Sequence, residues 1–397
     1  MNSFGRCFSV GVILCGAALS VSVRGDDMLV ADCLGHSVHR YDENGQWLGD
    51  FVPPGGGGLR FPHSIIWGPD LNDDGMDDVY VVGLQSAAVH CYDGVTGAPI
   101  GDGVFASGGM FSPVDLDWGP DRNDDGVPDL YVLNNASSIR VVWYDGVTGD
   151  FGGGFITGNS GGFVSGEFLV FGPDITDDGV PEIYGTSAAD NRIYRFNGAT
   201  GAFIDRFVQG GAGYVTGRDL LFHTDGRLYV CNGGGNSIIS FDGETGGDAQ
   251  VFVPSRSGGL SNPHGLIWGP DANDDGEKDL YVASQANARV IRYDGLTGDF
   301  IDVFIPSGRG GIVAAAGIIF VSTGCTRDPE WLCDGDVDGD GQVNPVDSGL
   351  VQAAFGSADE QDLCNFDVDC DGQINPVDAG IVQSLFGTCD APRGACP

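Results

Sequence analysis

FPHSIIWGPDLNDDGMDDVYVVGLQSAAVHCYDGVTGAPIGDGVFASGG, residues 61–109, decides the fold. It contains four short runs rich in β-branched and aromatic residues, bounded by turns that carry Gly and Asp, the pattern of short antiparallel strands. The order recurs along the chain. Segments starting at Met28, Val79, Leu130, Ile183, Leu228 and Leu280 align, with spacings of 51, 51, 53, 45 and 52 residues. A period near fifty with four strands per unit is the signature of a propeller blade. The 68 Gly and 19 Pro residues in 397 would alone raise disorder as a question; a sustained period of this kind answers it.

Outward from that unit, YDGVTG at Tyr92 and Tyr144, FNGATG at Phe196, FDGETG at Phe241 and YDGLTG at Tyr293 mark one hairpin in five repeats. Asp-Gly supplies the positive φ such a turn demands. Trp67, Trp118, Phe171, Phe222, Trp268 and Phe320 recur at one register and read as wedges between blades. With the strands named a (GLIW), b (LYV), c (VxxYD) and d (FxxxF), the chain enters at strand b and ends with a lone strand a at residues 317–320. The first blade should therefore close with three N-terminal strands and one C-terminal strand, which removes an open sheet edge. The expected fold class is all-β, a six-bladed β-propeller with this 3+1 closure, followed by a small α-helical calcium module. Residues 28–321 are in this respect similar to NHL-type propellers, a likeness of architecture that says little about function.

That module begins with two near-copies of one loop: DVDGDGQVNPVD (residues 336–347) and DVDCDGQINPVD (residues 367–378). Oxygen-bearing side chains fall at positions 1, 3, 5, 9 and 12 with Gly at 6, the layout of a twelve-residue calcium loop. Both continue alike, as SGLVQAAFG and AGIVQSLFG. The pair resembles a dockerin, the calcium-dependent module that docks cargo onto cohesin-bearing scaffolds, over about residues 333–390. That resemblance implies side-chain ligands Asp336, Asp338, Asp340, Asn344 and Asp347, then Asp367, Asp369, Asp371, Asn375 and Asp378, with backbone carbonyls from Gln342 and Gln373. Pro345 and Pro376 depart from it, at a position where dockerins usually carry cohesin-contacting residues.

A second set of loops stands between strands a and b. DLNDDGMDD (residues 70–78), DRNDDGVPD (121–129) and DANDDGEKD (271–279) offer Asp70, Asn72, Asp74 and Asp78, then Asp121, Asn123, Asp125 and Asp129, then Asp271, Asn273, Asp275 and Asp279. The spacing is that of a short calcium loop. DITDDGVPE (174–182) is a degraded copy, and the next repeat has lost the loop. With the tail this makes about five Ca2+ sites. In an up-and-down blade these loops share a face with the DGxTG turns, which suits bracing of hairpins.

The residue four before each wedge starts a strand facing the central channel: His63, Val114, Glu167, Arg218, His264 and Ala316, with Asp115 and Asp219 next in line. Propeller lyases of the peptidyl-hydroxyglycine type look similar here, with a ring of histidines holding a metal. That likeness implies a channel zinc, but His63 and His264 supply two ligands where a catalytic zinc wants three. Glu167 is the candidate third, and Arg218 an assisting group.

The N-terminus has a basic start at Arg6 and an apolar run from Val10 to Val23, then turns polar, as a secretory signal peptide does. The expected domains are a signal peptide over 1–25, the propeller over 26–322 and the calcium module over 323–397. The net charge is −38 at pH 7; loss of residues 1–25 removes Arg6 and Arg24 and no acid, which leaves −40. Such a chain repels nucleic acid and anionic membranes, and no segment after the leader is suited to membrane insertion. Cys325, Cys333, Cys364, Cys370, Cys389 and Cys396 crowd the tail and suggest up to three disulfides in an exported protein. Cys33, Cys91 and Cys231 read as buried free thiols. The functional expectation is a secreted or cell-surface calcium-binding protein. Its propeller would bind polysaccharide or protein, and its tail would attach to a cohesin-type partner. The alternative is a propeller enzyme (lyase, lactonase or polysaccharide hydrolase) carried by the same tail.

Overall fold

The computed structural model describes residues 27–321, apart from Asp73, Asp124, Ala136, Ser137, Ala212 and Asp274. The expected signal peptide and the tail loops lie outside the described residues. The described chain forms six four-stranded antiparallel sheets. The strands nearest the axis are Pro62–Gly68, Pro113–Gly119, Gly166–Gly172, Gly217–Phe222, Pro263–Gly269 and Ala315–Phe320. Each packs on the next and the last packs on the first, so the ring closes. Ala315–Phe320 pairs antiparallel with Met28–Asp32, and Ser37–Tyr41 and Trp47–Val52 complete that sheet. It is blade 1 below; blades 2 to 6 follow in chain order.

A glycine after each of four inner-strand aromatics sets the spacing between blades. Trp118 of blade 3 lies on Gly68 of blade 2, where a Cβ would come within 2.4 Å of the indole. Phe320 of blade 1 lies on Gly269 of blade 6 in the same way, at 2.1 Å. The wedge ring then meets a buried tyrosine edge-on. Tyr80–Trp118 and Tyr281–Phe320 have centroids 5.0 and 4.9 Å apart at 90° and 87°, a favoured arrangement of two ring quadrupoles. Trp67 Nε1 donates to Phe320 O at 2.7 Å, and Trp118 Nε1 donates to Trp67 O at 2.8 Å. The seam that closes the ring thus uses the bonds of an ordinary seam. Cys33, Cys91 and Cys231 are buried and free.

Side chains clasp the blades together on the face of the b–c loops. Asn191 Oδ1 accepts the N–H of Thr216, Asn236 Oδ1 that of Asn262, and His36 Nδ1 that of Phe61. Both partners of each clasp have φ near +55°, His36 and Phe61 at +58° and +55°, Thr216 at +54°. Left-handed backbone is costly for an aromatic or β-branched residue, so each clasp must be held by its bonds.

Candidate functional site: channel and a–b loops

The second residue of each inner strand gives the channel ring: His63, Val114, Glu167, Arg218, His264 and Ala316. His63 and His264 flank blade 1, whose small Ala316 lets them meet, and their Nε2 atoms are 3.3 Å apart. Phe168 of blade 4 faces them across the axis. The three ring centroids are 4.5 Å (His63–His264), 5.1 Å (Phe168–His264) and 5.6 Å (His63–Phe168) apart. Their exposures are 5% for His63, 1% for Phe168 and 0% for His264. At this depth the channel is a packed plug of three rings.

Hydrogen bonds assign the tautomers. His63 Nδ1 donates to Val114 O at 2.6 Å, so His63 Nε2 accepts and His264 Nε2 donates between the rings. His264 Nδ1 is then a buried acceptor without a protein partner. Burial, with the Arg218 charge, holds His63 down to about 4. Burial, then His63 and Arg218, pushes His264 well below the usual imidazole range. Both rings are neutral at pH 7.

Glu167 has both oxygens engaged. Arg218 Nη1 donates to Oε2 at 2.9 Å and Asn135 Nδ2 to Oε1 at 2.8 Å. Burial raises its pKa against the opposing pull of Arg218 and Asn135. The structure therefore brings His63 to His264 and Glu167 to Arg218, as two separate pairs. Among the described residues, no three His, Cys, Asp or Glu side chains group so as to hold a metal.

Further along the channel, Asp115 Oδ2 accepts the N–H of Leu169, Asp117 Oδ2 that of Phe171 and Asp219 Oδ2 that of Leu266. Each carboxylate crosses to the inner strand of the next blade. The axis-facing edge of such a strand has no strand partner, so its N–H groups need acceptors. Burial raises all three acids, Asp117 and Asp219 to about 7 and Asp115 well above its ordinary value with help from the Asp219 charge.

The loops on the opposite face repeat one geometry. Asp70, Asp121 and Asp271 each accept the N–H of the loop glycine (Gly75, Gly126, Gly276) at 2.7 Å and that of the loop asparagine two residues on. The asparagine amides then donate to aspartates of the c–d turns: Asn72 to Asp93 at 2.9 Å, Asn123 to Asp145 at 2.6 Å and Asn273 to Asp294 at 2.7 Å. Asn123 and Asn273 also donate to Asp125 and Asp275. Asp78, Asp129 and Asp279 are fully buried beneath and accept the N–H of Leu71, Arg122 and Ala272. Asp129 also accepts the turn N–H of Gly146 at 3.1 Å. Burial raises Asp78 to about 6 and also raises Asp129 and Asp279.

Sequence reasoning missed Asp93, Asp145 and Asp294. Their signal is the Asp of the DGxTG turn. One oxygen holds the turn, as Asp93 Oδ1 does by accepting the Thr96 N–H at 2.6 Å, and the other reaches the loop. Blade 4 reverses the polarity. With Thr176 in the degraded loop, the turn residue is Asn197, whose amide donates to Asp178 at 2.6 Å and Thr176 at 3.2 Å. Phe168 and Asn135 were also missed: Phe168 sits one residue past the channel register, and Asn135 comes from a b–c loop.

Comparison with known proteins separates the two parts of the chain. Residues 334–386 match the Dockerin type I domain family, so the chain carries a dockerin type I domain behind a six-bladed propeller. Dockerin domains bind calcium and cohesins, which supports Ca2+ and a cohesin-like partner for this chain. No curated protein sequence matches the chain. The fold is similar to a chain in the crystal structure of the nidogen/laminin complex, at 14% identity and a TM-score of 0.54, covering 75% of this chain and 98% of that one. It is also similar to a protein of unknown function from Bacteroides caccae, at 10% identity and a TM-score of 0.51, covering 74% and 97%. At such identities the likeness is one of fold. No helix among the described residues is long and apolar enough to cross a membrane.

Proposed function

We propose that this chain is an exported, calcium-dependent attachment protein. Its dockerin domain docks to a cohesin on a scaffold or cell surface, and its propeller presents a binding surface for polysaccharide or protein. The dockerin match at residues 334–386 carries the reading. The signal-peptide-like segment over 1–25 and the six tail cysteines, paired as disulfides, suit such a location. The tail ions would be held by Asp336, Asp338, Asp340, Asn344 and Asp347, and by their counterparts Asp367, Asp369, Asp371, Asn375 and Asp378.

The propeller loops suit a hard cation as well. Their side-chain donors are oxygens, and in blade 3 two carboxylates, Asp125 and Asp145, share the single Asn123 amide. A Ca2+ ion at each loop would add the positive charge that the amide lacks. Asp70, Asp74 and Asn72 and their counterparts in blades 3 and 6 are the ligands in this reading, with Asp78, Asp129 and Asp279 bracing from below. Enzymatic use of the channel would require the His63–His264–Phe168 plug to open. Turnover that persists in a His63→Ala/His264→Ala variant would exclude that use.

The test of attachment is binding of the full chain to an immobilised cohesin panel, with calcium and with a chelator. The expected result is calcium-dependent binding to at least one cohesin that Asp338→Asn with Asp369→Asn abolishes. Absence of binding across the panel, in calcium, would contradict it.

A further inference from the structure

The groove between blades 6 and 1 holds a cavity, and the residue that would cross it differs from that of the groove between blades 3 and 4. In the groove between blades 3 and 4, the second loop residue is Arg122. Its guanidinium lies 4.5 Å from the ring centroid of Phe155 and 5.5 Å from that of Trp143, and Nη1 donates to Ala199 O in the c–d turn of the next blade. Between blades 4 and 5, Arg195, the counterpart of Arg292 in blade 6, lies 5.0 Å from the centroid of Phe207 and donates to Glu244 O in the turn of the next blade. Between blades 2 and 3 the equivalent loop residue is Leu71, packed against that core. Between blades 6 and 1 it is Ala272, which is too short to cross. Arg292 and Phe304 stand where blade 3 has Trp143 and Phe155, and Glu43 and Asn44 form the facing turn. The space that Arg122 fills in blade 3 is here a cavity of about 410 Å³.

The chemistry of its walls selects an occupant. Arg292 is fixed, with Nη2 donating to Asp302 at 2.7 Å, Nη1 to Tyr281 at 3.1 Å, and its guanidinium 5.4 Å from the centroid of Phe304. Arg309 is fixed by donation to Gly45 O at 3.0 Å. Two guanidinium groups and the carboxylates of Glu43 and Asp302 leave the cavity with no net charge, on a chain of net charge −38. An anion would meet the repulsion of the whole surface, and a cation would meet two arginines. A neutral ligand with many hydroxyls meets neither penalty. Planar carboxylate, amide and guanidinium groups can each bond two neighbouring hydroxyls, and the volume is at the small end of ligand sites, the size of one or two sugar units.

We infer that the groove between blades 6 and 1 is a subsite for a neutral hexose or pentose unit of a polysaccharide. The assignment rests on the glycan branch of the proposed function and locates it on the propeller. Ala272→Arg tests it, because Ala272 is exposed and its counterpart Arg122 already occupies such a groove in the same fold. The full-length protein and the variant are titrated with cellohexaose, xylohexaose and mannohexaose, and their melting temperatures are compared. The expected result is binding of at least one hexaose by the wild type, a loss of tenfold or more in the variant, and an unchanged melting temperature. Binding that stays within twofold in the variant overturns the subsite and leaves glycan recognition standing. Absence of wild-type binding both to all three hexaoses and to the parent polysaccharides overturns the glycan reading itself, and the subsite with it. An Asp302→Asn variant gives a second readout, since it keeps the volume and removes one carboxylate; unchanged affinity there also counts against the subsite.

Discussion

Aspartate does opposite work on the axis and on the loop face. On the axis, Asp117 and Asp219 accept one cross-blade N–H each and burial pushes them up to about 7. On the loop face, burial also pushes Asp93 up, but bonds from Thr96 outweigh it and hold the carboxylate below its usual range. Asp145 is held low chiefly by the Thr148 N–H. Burial on the axis therefore disfavours charge, as it does for Asp78, Asp129 and Asp279 beneath the loops, whereas the turn aspartates of the loop face stay ionised and suit a cation. Identity of residue type did not decide function here; the number of donors and the amount of water did.

The largest expected difference between the two regions is in packing. Phe168→Ala should cost about 3–5 kcal/mol, because a fully buried ring facing His63 and His264 leaves a hole that the channel wall cannot collapse into. Calcium affinity of the loops should be unchanged. A calorimetric loss below about 1 kcal/mol would mean that the three rings do not form a plug.

Asp219 gives the next effect. Its folded-state pKa lies above the unfolded value of 3.8. Its favourable contribution is thus complete below pH 3.8 and is lost as the pH rises through about 7. Asp219→Asn keeps an acceptor for the Leu266 N–H and cannot ionise. It should exceed the wild type in stability at pH 8 by on the order of 2 kcal/mol and match it near pH 4. His63 works with the other sign. Its folded pKa, about 4, is below 6.5, so its contribution is present above pH 6.5 and fades as pH falls toward 4. The trends oppose each other in the wild type, and only the variant isolates one of them. A variant whose stability follows the wild-type curve at every pH would remove Asp219 from the account.

The smallest effect belongs to the clasps. Asn191→Ala removes the acceptor of the Thr216 N–H and should cost about 1 kcal/mol, with faster amide exchange at Thr216. Equal exchange in the two proteins would show that the clasp bears no load.

The repeat made most of the fold legible. Six aligned segments, the DGxTG turns and the wedge register define six blades without any long-range information, and the dockerin loops are spelled out at fixed spacing. His63 and His264 were legible as a pair because they share a register and a context. Their contact was not, because it depends on Ala316 leaving room and on Phe168 pressing from the far side. Glu167 was expected as a third ligand, but Arg218 and Asn135 approach it only once the ring has closed. The turn aspartates went unread for a related reason: Asp93 lies 21 residues from Asn72, and only the pairing of strands b and c lets the loop and turn meet. The groove between blades 6 and 1 is legible only in retrospect, as Ala272 set against Arg122.

The central proposal is that the loop face, rather than the channel, is where the propeller would hold metal. It is tested by thermal unfolding of the full chain in calcium and in chelator, for the wild type and for Asp74→Asn/Asp125→Asn/Asp275→Asn. All three substitutions lie at exposed positions. The account predicts a propeller transition that rises with calcium in the wild type and loses that rise in the triple variant, with the chelated proteins melting together. A wild-type propeller transition that ignores calcium, or a triple variant that keeps the full rise, would contradict it.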